Sequence, residues 1–105
     1  MIPPVPIIVQ KIPKRELRDI WNDPTFQSAL LQRATQRVDV YEGLAPPSAE
    51  QEEGALSYVY DLMDNPNHQL LGTFHVYKNR DGSIGASGMH DPVFLLVNNI
   101  PMCDP

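Results

Sequence analysis

Two N-terminal helices followed by a three- to four-stranded antiparallel β-meander, an α+β domain, is the fold the sequence predicts. Three observations carry it. Apolar residues recur at helical spacing between residues 14 and 41, and mostly at alternating spacing beyond residue 55. Turn and helix-start signals separate these stretches: Asp23-Pro24, Asn79-Arg80-Asp81-Gly82, Asp91-Pro92 and Asn98-Asn99. Leu, Ile, Val and Phe number 28 of 105 residues, above the fifth below which a highly charged chain stays disordered. The length fits a single domain over residues 1–105. Its 11 prolines keep the regular elements short, because a proline nitrogen has no hydrogen to donate.

Residues 1–13 read as a proline-rich extended arm, in which the short extended segment of residues 5–9 is confined by its prolines to a sheet edge or to a terminal arm. After Pro13, Leu17, Ile20 and Trp21 fall at i, i+3 and i+4, one face of a short helix. Asp23 before Pro24 ends it and starts the next, since Asp caps a helix well and Pro suits its first position. Phe26, Leu30, Ala34 and Val38 recur every four residues, which predicts a second helix running to Asp39 or Tyr41, with Gly43 as its stop. Residues 43–54 read as an acidic loop, in which Ser48 and Gln51 fit a capping box for one helical turn.

Residues 55–63 fit both periods. As a helix, Ala55, Leu56, Val59, Leu62 and Met63 share a face; as a strand, Leu56, Tyr58, Tyr60 and Leu62 do. The Tyr-Val-Tyr centre and the preceding Gly54 favour the strand. Residues 70–78 alternate Phe74 and Val76 with Thr73, His75 and Tyr77, a strand followed by turn chemistry at residues 79–82. Residues 83–87 are expected to return antiparallel. Gly82, Gly85 and Gly88 mark a thin strand approached closely by other chain segments, since no helix follows soon enough for a phosphate loop. Residues 93–97 have the length and composition of a buried strand, and Asn98-Asn99 turns it toward residues 100–102.

The net charge of -5 is unevenly placed. Residues 10–37 hold six of the eight basic side chains, whereas residues 38–64 hold seven acids and no base. The overall sign argues against nucleic-acid binding. Residues 1–9 lack the basic start and small-residue cleavage site of a signal peptide, and no stretch has the length of a membrane helix, so the expected location is the cytoplasm without membrane attachment. One cysteine, Cys103, excludes an internal disulfide. His68, His75, His90 and Asp91 match no metal-ligand spacing, so neither metal nor cofactor is expected.

The densest polar segment runs from His75 to Asp91. Its catalytic candidates are His75, His90, Arg80 and Lys78, the histidines as base and acid and the cations as stabilisers of negative charge. Binding candidates are Tyr58, Tyr60, His75, Tyr77 and Arg80, large amphipathic or charged groups of the kind enriched at interfaces. The function expected is a small non-catalytic module that binds a protein partner or pairs with a second copy. Two alternatives are a ribonuclease-like hydrolase using His75 and His90, and an acidic inhibitor presenting the carboxylates of residues 38–64 on one surface.

Overall fold

In the computed structural model, residues 9–46, 51–85 and 90–105 are described. A short strand β1 (Gln10–Lys11) leads into helices α1 (Lys14–Trp21) and α2 (Pro24–Arg33). Five strands follow: β2 (Gln36–Leu44), β3 (Leu56–Asp64), β4 (Gln69–Lys78), β5 (Asp91–Val97) and β6 (Ile100–Cys103). They form one mixed six-stranded sheet in the order β1-β6-β5-β4-β3-β2. The five later strands are a continuous antiparallel meander, and β1 adds to β6 in parallel. The α+β class and the two leading helices stand, but the sheet exceeds the three or four antiparallel strands that pattern predicts.

The helix junction follows the sequence logic closely. The Asp23 carboxylate accepts from the backbone N–H of Thr25 at 2.9 Å and of Phe26 at 3.1 Å, with Pro24 at the first helical position. α1 buries Leu17 and Trp21 against the sheet. Phe74 lies at the centre of the core, its ring 4.5 Å from that of Trp21 and 5.4 Å from that of Tyr60. Leu17, Leu71, Val76 and Leu95 complete the packing.

Two expectations need correction. The second helix stops at Arg33, and residues 36–44 form a strand, not the helix end and loop start predicted there. Of the four-residue series, Leu30 is buried in the helix and Val38 lies on β2. Val38-Asp39-Val40-Tyr41 has the β-branched and aromatic content of a strand, and pairing with β3 overrides the weak helical period. Residues 83–85 do return antiparallel, through the bridge of Lys78 to Ile84; Ala86 and Ser87 lie outside the described residues. β5 starts at Asp91, two residues earlier than expected, because a register shift opposite Thr73 and Phe74 accommodates buried Pro92 inside the strand.

Residues 56–64 are a strand, as Tyr-Val-Tyr favours. Asn98 and Asn99 turn with φ of 49° and 64°, left-handed values that asparagine tolerates. Gly85 does lie in close approach: a Cβ there would run into the Gln51 and Tyr77 side chains. Residues 1–8, Ser48 and Gly88, with the readings made for them, lie outside the described residues.

Candidate functional site

Alternation along β3 and β4 divides the candidate residues between two faces. Register pairs Tyr58 with Val76 and Tyr60 with Phe74, which puts both tyrosines on the side that carries the helices. Ser57 pairs with Tyr77 and Val59 with His75, so these four look the other way.

On that second face, His75 Nε2 shares a hydrogen bond of 2.6 Å with Ser57 Oγ, and its ring meets Tyr77 edge-on at 4.4 Å. His75 is half-buried. Burial lowers its pKa, Asp91 across the strand pair works against that, and Lys14 adds to it. Asp91 itself accepts from Arg18 Nε at 3.0 Å, tying α1 to the start of β5. A serine and a histidine in contact resemble part of a nucleophile and base pair. Here each chiefly satisfies the other, because Ser57 is buried.

The helix-side face holds a second polar group. The Tyr60 hydroxyl and His90 Nδ1 share a hydrogen bond of 2.6 Å. The Arg37 guanidinium lies 4.0 Å above the Tyr60 ring, and Lys78 Nζ lies 4.7 Å from the centre of the Tyr58 ring. Both are cation-π distances. Arg37 also bonds Asp39 through Nε at 3.2 Å. Burial lowers the His90 pKa first, and the positive charges of Arg37 and Lys78 lower it further. Burial raises the Tyr60 phenol, with Arg37 opposing. Burial likewise raises Tyr58, helped by its hydrogen bond to Glu42 and by the charges of Glu42 and Asp39. Next to this group opens a cleft of about 300 Å³ lined by Trp21, Asn22, Gln27, Leu31, Tyr60 and His90.

The histidines therefore have separate partners on separate faces and are not brought together as an acid and base pair. Lys78 joins His90. Arg80 does not: its backbone N–H donates to Glu52 at 2.8 Å, and its side chain lies over Gly54. Nor do the acids of residues 38–64 share a surface. Asp64 is buried and bonded to Arg33 and Asn67, Asp61 accepts from Thr73 on the Val59 face, and Asp39 and Glu42 lie beside the tyrosines. Glu50 lies outside the described residues. The placement of Asp39, Glu42, Asp61 and Asp64 counts against the acidic-inhibitor reading.

Sequence reasoning missed Arg37, Trp21, Asn22 and Gln27 as site residues. Arg37 was hidden by the helical reading of its segment; as a strand, Arg37, Asp39 and Glu42 face Leu62, Tyr60 and Tyr58 in turn.

The third feature is an edge. β1 is two residues long, but β2 offers nine residues at the opposite end of the sheet. Leu44, Val40, Tyr41 and Val38 on it are 73%, 57%, 55% and 39% exposed. Among the described residues, no helix is long and apolar enough to cross a membrane and no group of three or more His, Cys, Asp or Glu could hold a metal ion. Comparison with protein-family models, with curated proteins and with solved structures finds no match.

Proposed function

We propose that the chain is a self-associating module in which two copies pair through β2, extending each six-stranded sheet into a continuous sheet across a two-fold axis. The observation that carries this reading is the edge itself. A long edge strand presents a row of backbone donors and acceptors that a second strand can pair with. β2 is nine residues long and carries four exposed apolar side chains. A domain of this size also leaves much apolar surface in water when alone.

The charges on β2 select the register. With Arg37 opposite Glu42 of a second copy, Val38 falls opposite Tyr41, and both pairs lie on matching faces. A bulge between Asp39 and Tyr41 keeps this true: Arg37 and Glu42 both face the tyrosine side, Val38 and Tyr41 the other. Cross-strand pairs of opposite charge and of aromatic with β-branched residues each favour pairing by roughly 0.2–1 kcal/mol. Such an interface is isologous, so every favourable pair occurs twice.

Light scattering coupled to size exclusion at micromolar concentration tests it, with an expected mass of twice the chain's 11.8 kDa. Val38→Lys and Tyr41→Glu are each expected to give monomers, and the double variant to regain the dimer through the new opposite-charge pair. A wild-type monomer across that range overturns the proposal, as does a dimer that neither single change weakens.

A further inference from the structure

We infer that the cleft beside Tyr60 and His90 is a binding site for a nucleoside monophosphate, with the phosphate held between Arg37, Lys78 and His90. The site lies on the helix side of the sheet and shares Arg37 with the β2 pairing proposed above, so Lys78→Gln, on β4, tests it apart from that pairing.

Three donor groups lie around one pair of tyrosines beside the cleft, and the charges of Arg37 and Lys78 both act on His90. Tyr58 and Tyr60 are alternate residues of one strand, so their rings stand roughly 7 Å apart on the same face. Arg37 lies on one ring and Lys78 on the other, which fixes two cations over adjacent positions of the sheet. His90 bonds to Tyr60, the tyrosine under Arg37. A phenol is the better donor and an imidazole nitrogen the better acceptor, so Tyr60 O–H donates to Nδ1, and the neutral ring then carries its proton on Nε2. That nitrogen is then a third donor, on a residue that lines the cleft. A guanidinium, an ammonium and an N–H of this kind complement the oxygens of a phosphate.

The cleft supplies the rest. At about 300 Å³ it lies at the lower end of the range for small-ligand sites, roughly 300–1,000 Å³, which suits one nucleoside and not a polymer. Its lining joins the apolar Trp21 and Leu31 to the side-chain amides of Asn22 and Gln27, which can both donate and accept at the edge of a base. The guanidinium plane of Arg37 offers a stacking surface of the kind bases use. Asp39 competes for Arg37, but their ion pair is largely exposed and engages Nε, leaving both terminal nitrogens outside it. The acidity of the whole chain disfavours a long polyanion far more than a single phosphate.

Calorimetric titration of the full chain with the four common ribonucleoside 5′-monophosphates, with the four nucleosides and with inorganic phosphate tests the site. At least one monophosphate is expected to bind about tenfold tighter than its nucleoside and about tenfold tighter than inorganic phosphate. Lys78→Gln and Arg37→Gln are each expected to weaken that binding by about tenfold, with circular dichroism confirming the fold. Lys14→Gln removes the same charge from exposed α1 and is expected to leave affinity unchanged. His90 ring signals in NMR should shift on saturation in the wild type. Equal binding of phosphate and nucleotide overturns the inference, as do failure of every monophosphate at millimolar concentration and indifference to Lys78→Gln and Arg37→Gln.

Discussion

β4 and β2 have ten and nine residues, share one sheet and are separated only by β3, yet they stand at opposite extremes of burial. Every residue of β4 is buried or half-buried; on β2 only Gly43 is even half-buried. Their compositions do not explain this, for β2 contributes Val38, Val40, Tyr41 and Leu44 against the Leu70, Leu71, Phe74, Val76 and Tyr77 of β4. What differs is cover. α1 and α2 place Leu17, Trp21 and Leu30 in the core that holds Phe74, Leu71 and Val76, while the apolar residues of β2 are left facing water. Stability is concentrated in one half of the sheet, which leaves the other free to carry recognition.

The sharpest way to break this contrast is Phe74→Ala, which removes the ring between Trp21 and Tyr60. Chemical denaturation is expected to show a loss of about 3–5 kcal/mol; a loss below about 1 kcal/mol would mean the core is elsewhere. Gly72→Ala comes next. Its new methyl group would stand 2.8 Å from the Phe74 ring, an overpacking expected to cost about 1–3 kcal/mol by the same measurement.

A pH series sharpens the comparison between the two faces. His75 and His90 both have folded pKa values below the ordinary 6.5, chiefly through burial. The fold therefore prefers both rings neutral. Their contribution is fully present above pH 6.5 and is lost as pH falls through the depressed folded values. The urea midpoint should drop over that window, and the double variant His75→Gln with His90→Gln should drop less. A midpoint that rises there contradicts the burial of both rings. The smallest effect is expected at Val40→Ala on the open edge, within about 0.5 kcal/mol for the monomer. A loss in dilute monomer as large as that at Phe74 would erase the distinction between the halves.

Most of the fold was readable where local chemistry and tertiary packing agree. Asp23-Pro24 specifies a cap and a first helical residue through groups within three residues, and Asn98-Asn99 a turn through its own backbone preference. Residues 36–44 were not readable, since Phe26, Leu30, Ala34 and Val38 keep a helical period while only pairing with β3, some twenty residues on, makes the last of them a strand residue. The site was half legible for the same reason. His90, Lys78, Tyr58 and Tyr60 stand out as residue types, but Arg37 joins them only once its segment is extended. Nothing local distinguishes His75 from His90; which face each serves depends on strand register.

The parallel pairing of β1 with β6 bears on mechanics. Gln10 sits beside Met102 and Lys11 beside Cys103, and Ile12 N–H donates to Cys103 O at 3.0 Å, so β1 and β6 run side by side in the same direction. Force applied to the start of β1 and to the end of β6 would load these bonds together, in shear, instead of opening them one after another. Under such a load the narrow edge is expected to resist as a clasp and not to peel as a zip.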